Sequence, residues 1–349
     1  MSSNANGRPF RVLLVGSGPT AATALESLAK RFTVVGLVRE CAPEATSVDP
    51  VVARARQLGA VVVTTATIAA IAEAIDELEP DCVVVSSFHR IIPQSLLSRC
   101  RFVNVHYAML PRYRGRANVN WAVINGEAIT GISIHEIAPG LDAGNILFQY
   151  AIEIGAEDTV ADLYRCLNDV QRRALGETVE HFLDGDPGKP QDELHASYGC
   201  TRLPDDGEID WSAPSIVIDR LVRALARPFP GAFTYLDQKR LTVWRAARLA
   251  YAPRYDGRIP GRVVNVERSE GFVDVLTGDG MLRVFEVQIE GGEVASAASV
   301  IRSVKIRLGL RNGDLLKRIE QLEARVAALS LERAPTAGNG YDNRVGEGV

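Results

Sequence analysis

The chain has 349 residues, 46% hydrophobic and 23% charged, which is the composition of a globular protein with a sizeable core. A net charge of −4 argues against a nucleic-acid-binding protein, although it leaves room for a local basic patch. The five cysteines are widely spread without a Cys-x-x-Cys pair, so we expect neither a disulfide scaffold nor a zinc site. The polar N-terminus and the lack of a long uncharged apolar run predict a cytoplasmic protein without a membrane span.

The first half of the chain alternates short apolar runs with helix-like segments. Strands are predicted at 11–15, 32–38, 60–64, 82–86 and 102–106, and helices at 20–30, 50–58, 68–78 and 158–182. Strands that alternate with helices predict an α/β fold in which helices cover both faces of a parallel sheet.

A glycine turn, Gly16-Ser17-Gly18, follows the first predicted strand. It has the start of a dinucleotide-binding loop, but Ala21 replaces the third glycine and only Glu40 approximates the expected acid. The alternative is a tight strand-to-helix turn that binds no phosphate, and the degenerate pattern favours it.

A second region follows the polar segment 183–197, which contains Gly and Pro and reads as a linker. A helix is predicted at 215–226, and the chain then breaks at 228–231. Five short strands are predicted at 232–235, 241–245, 261–265, 273–276 and 282–287. Short strands separated by turns predict a small β-barrel of the OB type.

Apolar residues recur near the C-terminus with the spacing of a heptad repeat. They are Leu315, Ile319, Leu322, Val326 and Leu329. Such an a/d stripe predicts a helix that pairs with a second chain, whereas the alternative is an amphipathic helix packed on its own domain. The Gly-rich polar tail at 334–349 is predicted to be disordered.

The densest cluster of unexplained polar residues begins at the fifth predicted strand. Asn104 and His106 lie two residues apart, so they share one face near the carboxyl end of that strand, where α/β sheets bind ligands. Asp142 follows in a Leu-Asp-Ala-Gly turn. An amide, an imidazole and a carboxylate can together hold an oxyanion, move a proton and orient the base. Spacing alone does not bring Asp142 to His106.

Arginines alternate in the loop that follows, at Arg112, Arg114 and Arg116. Their planar guanidinium groups suit phosphate or carboxylate recognition, and the alternative is a solvated basic loop paired with nearby acids. The remaining histidines do not form a ligand-spaced cluster, so no metal site is predicted.

These motifs resemble the pattern of the N10-formyltetrahydrofolate-dependent formyltransferases, which reads NxHxSLLPxYRG…W…NGE…TGVT…DxG. The corresponding residues are NVH at 104–106, LPRYRG at 110–115, Trp121, NGE at 125–127, TGIS at 130–133 and LDAG at 141–144. The resemblance extends over residues 11–185. IDW at 209–211 and RPFPGAFT at 227–234 are similar to the family's C-terminal domain.

Together with the element pattern, the resemblance implies five regions. They are a Rossmann-like catalytic domain at 1–187, a linker at 188–205, an OB-like barrel domain at 206–310, a heptad helix at 311–333 and the tail at 334–349.

The resemblance also implies N10-formyltetrahydrofolate as cosubstrate, no metal, and Asn104, His106 and Asp142 as catalytic residues. The expected folate-contacting residues are Phe88, Arg90, Ile91, Ile92, Leu110 and Leu141. Contacts to the acceptor are expected from Tyr113, Arg114, Arg116 and Phe229. Two residues depart from the pattern, because Ala108 and Met109 stand where the family has Ser and Leu.

The family formylates primary amines of several classes. Its tRNA-directed members carry a basic insertion after the second strand, where this chain has the short, acidic-leaning RECAPEAT at 39–46. The arginine loop and the 228–233 segment look more like members that formylate amino sugars carried on a nucleotide. We therefore expect a nucleotide-linked amino sugar as acceptor and a homodimer through the heptad helix, without nucleic-acid or membrane partners. The alternatives are methionyl-tRNA, another natural-product amine, or a non-catalytic binding module that oligomerises through 315–329.

Overall fold

The computed structural model describes residues 7–40, 49–249, 251, 253–310 and 312–332. The predicted disordered tail and residues 41–46 of the short segment after the second strand lie outside the described residues.

The N-terminal unit is built on one seven-stranded sheet with the order β3-β2-β1-β4-β5-β7-β8. The strands up to this point of the chain are β1 (Arg11–Gly16), β2 (Thr33–Val38), β3 (Val61–Val63), β4 (Cys82–Ser86), β5 (Arg101–His106), β6 (Arg114–Gly115), β7 (Ile129–Glu136) and β8 (Ile146–Glu153). The helices are α1 (Gly18–Leu28), α2 (Pro50–Gln57), α3 (Ile68–Leu78), α4 (Gln94–Leu97), α5 (Asn118–Asn125) and α6 (Val160–Leu183).

The predicted parallel sheet is confirmed for β1 to β5, which are parallel and almost wholly apolar because helices cover both faces. Strands β7 and β8 were not predicted from the sequence, and they extend the sheet in the antiparallel direction. Strand β7 pairs directly with β5, so that His135 lies opposite Asn104. This pairing places a second imidazole beside the predicted site.

The long helix α6 begins at a capping box, in which Thr159 and Asp162 satisfy each other's backbone N–H groups. Its buried face packs against α1, and Gln171 reaches from it to the backbone carbonyl of Thr20. This contact fixes the end of α1 that lies nearest the carboxyl edge of the sheet.

The second unit is an antiparallel sheet with its own apolar core. Strand β9 (Tyr198–Gly199) precedes this unit and pairs with β6. The unit then consists of α7 (Ser215–Ala224), β10 (Ala232–Leu236), β11 (Lys239–Arg248), β12 (Val263–Glu267), β13 (Phe272–Leu276), β14 (Met281–Ile289), β15 (Val294–Ser296) and the short α8 (Ala297–Val300). The strand order is β10-β11-β14-β13-β12, with β15 added to β14. The five predicted strands correspond to β10 to β14.

The heptad segment forms the helix α9 (Asn312–Glu332). Every side chain from 315 to 329 is exposed, so this helix does not pack on its own domain. Among the described helices, none is long and apolar enough to cross a membrane.

Gly16 gives a test of the contact between β1 and β4. A Cβ at this position would lie 1.8 Å from the backbone oxygen of Ser86, and backbone cannot swing aside. We expect Gly16→Ala to lower the free energy of unfolding by about 3 kcal/mol, measured by urea denaturation. Gly257→Ala is the control, since a Cβ there meets nothing within 4 Å and the stability should stay unchanged. Equal stability of the two variants would contradict the inference that Gly16 is needed for the close approach of β1 to Ser86.

Candidate active site

A cavity of about 1100 Å³ opens at the carboxyl ends of β4 and β5. Its wall combines residues of the loop after β4, the end of β5, the first turn of α5, the turn after β7 and the chain after β9. Asn104, His106 and Asp142 all line it. The structure therefore brings the three predicted catalytic residues to one place, including Asp142, whose position the spacing did not determine.

The buried ring of His106 is oriented by the backbone of the arginine loop. Its Nε2 lies 2.8 Å from the carbonyl oxygen of Tyr113, which requires a proton on Nε2. The Asn118 amide satisfies its hydrogen-bonding groups in one orientation. Its oxygen then accepts from His106 Nε2 at 3.1 Å, and its nitrogen donates to the carbonyls of Tyr113 and Arg116. In the neutral ring, Nδ1 therefore carries the lone pair.

The carboxylate of Asp142 faces this lone pair. Its Oδ2 lies 3.5 Å from His106 Nδ1 and accepts a hydrogen bond of 2.8 Å from the backbone N–H of Gly115. Burial opposes the charge, but His135, His106 and the Gly115 N–H together outweigh it and hold the pKa of Asp142 at about 2. Asp142 is therefore ionised at neutral pH and stabilises any proton that His106 accepts on Nδ1.

The pKa of His106 lies below its ordinary value of 6.5 because burial disfavours the charged ring. Asp142 acts in the opposite direction and raises this pKa, without cancelling the effect of burial. His106 is consequently neutral at pH 7 and can accept a proton there.

Asn104 connects the carboxylate to the second imidazole. His135 donates from Nδ1 to the carbonyl of Glu136 at 2.8 Å, so its Nε2 accepts from the Asn104 amide at 3.0 Å. The same Asn104 nitrogen lies 3.4 Å from Asp142 Oδ1, a long contact. One amide hydrogen is thus used by His135, and the other can turn to an oxygen in the cavity.

The segment predicted as a linker forms hydrogen bonds to the backbone of the turn that carries Asp142. The Gln191 amide nitrogen donates to the carbonyl oxygens of Asp142, at 2.7 Å, and Gly144, at 2.8 Å. Its oxygen accepts from Arg114, whose guanidinium also pairs with both oxygens of Glu193. Gly144 itself must be glycine, because a Cβ would lie 1.9 Å from the Glu136 oxygen.

Non-glycine residues with left-handed backbone cluster around the cavity. Ser87, Tyr113, Ala117 and Asp142 all have φ between 48° and 61°. Such a conformation costs of order 1–3 kcal/mol per residue and persists where surrounding contacts impose it. Strain of this kind is typical of functional sites, and two of these residues, Tyr113 and Asp142, contact His106.

Most of the predicted contact residues line the cavity. Those that do are Phe88, Arg90, Ile91, Ile92 and Leu141 for the folate, and Arg116 and Phe229 for the acceptor.

Leu110, Tyr113 and Arg114 are placed elsewhere, which corrects their predicted roles. Leu110 is buried, and its carbonyl accepts from Gln149. The Tyr113 hydroxyl donates to Glu127, and only the Tyr113 backbone reaches the site. Arg114 is 1% exposed and lies with Gln191 and Glu193, so it supports the Asp142 turn instead of contacting a ligand.

Sequence reasoning missed His135, Asn118 and Gln191. The available signal for His135 was its position at the end of an apolar run, as for His106, but the strand β7 itself was not predicted. Gln191 lay in a polar segment that was read only as a linker.

Two family models match this chain. The model described as formyl transferase covers residues 36–179, and the formyl transferase C-terminal domain covers residues 203–305. Over 245 residues, 69% of this chain and 75% of the relative, the sequence is 34% identical to a methionyl-tRNA formyltransferase of Caldanaerobacter subterraneus. The chain belongs to the formyl transferase family.

Solved structures show that the fold extends across both units. HypX from Aquifex aeolicus in complex with tetrahydrofolic acid superposes with a TM-score of 0.60 at 20% identity over 84% of this chain, which spans about half (47%) of HypX. The N-formyltransferase of Helicobacter canadensis, solved with folinic acid and dTDP-3-aminofucose, has a TM-score of 0.59 at 17% identity, covering 79% of this chain and 98% of that protein.

The enzyme is a formyltransferase, and formyltetrahydrofolate is the formyl donor of the family. The cavity fits such a donor because apolar side chains of the loop after β4 stand beside the polar residues that end β5. No cluster of His, Cys, Asp or Glu suited to a metal ion occurs in the described parts of the chain.

The pH dependence of turnover tests the roles of His106 and Asp142. The rate should fall as the pH drops below 6.5 and His106 becomes protonated, since its pKa lies under that value. In Asp142→Asn the raising effect of the carboxylate is lost, so the slower residual turnover should show its acidic limb at still lower pH. Asp256→Asn, an exposed carboxylate variant, should keep the limb in place. An acidic limb that moves to higher pH in Asp142→Asn would contradict the role assigned to Asp142.

Gln191 offers a second test, because it touches neither His106 nor the open cavity. We expect Gln191→Ala to lower kcat about tenfold with little change in KM, since the Asp142 turn loses both hydrogen bonds that the Gln191 amide donates to it. The acidic limb of the pH profile should also shift, which a loss of stability alone would not cause. The control is Asn145→Ala, which removes a comparable amide-to-carbonyl bond between the same two segments. If both variants behave alike, Gln191 has no positioning role.

Proposed function

We propose that this enzyme transfers the formyl group of N10-formyltetrahydrofolate to the primary amine of a nucleotide-linked amino sugar. The observation that supports this acceptor is the charge of the cavity wall. Arg90, Arg116 and Arg202 line it, and Asp142 is the only carboxylate among the described lining residues. A cationic cavity around a base selects an anionic small molecule that carries an amine.

The arginines come from different parts of the wall. Arg90 belongs to the loop after β4, with the apolar residues expected to contact the folate, so we assign it to the donor's carboxylates. Arg116 and Arg202 lie in other segments of the wall, before α5 and after β9, and we assign them to the diphosphate of the acceptor. Phe229, which packs 5.9 Å from the ring of Tyr164, offers an aromatic surface for the sugar or base.

Of these three arginines, Arg202 is the best placed to bind an anionic ligand. Its guanidinium lies 5.6 Å from the Trp121 ring and donates to the Asp206 carbonyl at 2.8 Å. Its Nε is buried and has no hydrogen-bond partner among the described residues. The guanidinium is partly shielded from water, and this burial lowers the pKa of Arg202.

The donor supplies a formyl carbon that an amine can attack. We propose that the amine nitrogen attacks this carbon, that His106 accepts the amine proton on Nδ1, and that Asp142, at 3.5 Å, stabilises the resulting imidazolium. The bond from the formyl carbon to N10 then breaks, and His106 returns the proton to the leaving N10 of tetrahydrofolate. Because the Tyr113 carbonyl holds the opposite nitrogen, Tyr113 and Asn118 fix the ring, while Asp142 acts mainly through its charge. Asn104 turns the amide hydrogen that makes the long contact with Asp142 toward the oxygen that gains charge.

Methionyl-tRNA is the second candidate acceptor, and the 34% identical relative favours it. Another natural-product amine is a further alternative within the same reaction. Membership of the family favours each of these over a non-catalytic binding module. We also propose a homodimer through α9 and a cytoplasmic location, which suits the described cysteines because all of them are unpaired.

An acceptor panel tests the proposal by the mass gain of one formyl group. We expect turnover with nucleotide-linked amino sugars to exceed that with free amino sugars and charged tRNA. Arg116→Ala and Arg202→Ala should each raise KM for the nucleotide-linked acceptor about tenfold, because a charge-assisted hydrogen bond is lost. The control Arg165→Ala changes an exposed arginine on α6. Formylation of charged tRNA alone would overturn the acceptor but not the reaction.

A further inference from the structure

The helix α9 presents an apolar stripe to solvent that formyl transfer does not use. Leu315, Ile319, Leu322 and Leu329 are 40–51% exposed, and Val326 is 63% exposed. The sequence left open whether this stripe packs on its own domain, and the exposure of the whole helix from 315 to 329 excludes that alternative. Apolar surface organised as a continuous stripe indicates a partner helix.

The residue types at the core positions select the kind of partner. The spacing places Leu315, Leu322 and Leu329 at d, and Ile319 and Val326 at a. β-branched residues at a with leucine at d favour two-stranded parallel coiled coils over trimers and tetramers. An identical helix from a second copy of this chain meets that requirement at every layer.

The flanking charges select the orientation. In the same register Arg318 and Arg325 occupy g positions and Glu323 an e position. In a parallel pair, g faces the e position five residues later on the other helix, so Arg318 faces the partner's Glu323, and the contact occurs twice by symmetry. In an antiparallel pair g faces g, and two registers align four layers of the stripe equally well. Either register sets arginine against arginine, because Arg325 would face the partner's Arg325 in one and the partner's Arg318 in the other.

We infer that two copies of this chain associate through α9 as a parallel, in-register coiled coil whose orientation is selected by reciprocal Arg318–Glu323 pairs. This inference rests on the proposed homodimer and is independent of formyl transfer. The parallel arrangement places both enzyme bodies at the same end of the coiled coil, because α9 follows each body in the chain.

Reversal of single charges tests the arrangement in the full-length protein. Arg318→Glu and Glu323→Arg each set like charges at both symmetric contacts, so the dimer dissociation constant should rise about tenfold in sedimentation equilibrium at low salt. The double variant restores opposite charges and should return to the original value. An equimolar mixture of the single variants should form heterodimers in preference to either homodimer.

Lys317→Glu is the matched control, since it makes the same charge change at the outward-facing f position and should leave association unchanged. Leu322→Asp should give monomers, because it puts a charge in the core of the stripe. All variants should keep the circular dichroism spectrum of the folded enzyme and its formyl-transfer rate. A monomeric parent protein would overturn the coiled coil, and single reversals that the double variant fails to restore would overturn its parallel orientation. Neither result depends on which acceptor the enzyme uses.

Discussion

The site depends on one largely buried negative charge. The carboxylate of Asp142 sits on a residue with left-handed backbone and is reached by the Gly115 N–H, two imidazoles and the Asn104 amide. Without these contacts burial would favour the neutral acid, and His106 would lose the charge that raises its basicity. The arginine loop, β5 and β7 therefore hold these groups around Asp142.

The sequence predicts the parts of this arrangement that depend on local periodicity. Apolar runs alternating with helical segments identify β1 to β5, and a two-residue spacing places Asn104 and His106 on one face of β5. It does not predict the return of Asp142, because that depends on the antiparallel pairing of β7 with β5 and on Gly144 packing against the Glu136 oxygen. The strand pairing joins segments about thirty residues apart, and only the resemblance to a family anticipated the return of Asp142.

The same limit explains the misplaced loop residues. Residue type marks Arg114 as an anion-binding group, but its environment contains Glu193 and Gln191, from a segment almost eighty residues later. A guanidinium so enclosed has no donor left for a substrate phosphate. Arg116, two residues on, has the same chemistry and does line the cavity. The difference between them arises from the parallel pairing of β6 with β9, which carries no periodic signal in two such short strands.

The segment that connects the two units therefore contributes to two parts of the site, the turn that carries Asp142 and the proposed acceptor wall. Gln191 fixes the turn that presents Asp142, and eleven residues later Arg202 enters the proposed acceptor wall. The second unit is held on the first by Asn120, which donates from α5 to the Ala224 carbonyl, and by Arg223, which donates to the Asp158 carbonyl. A shift of this unit would move Arg202 and Phe229 relative to His106. This arrangement would let the proposed acceptor side vary with the second unit and its connection, while the proposed donor side and the base stay on the sheet.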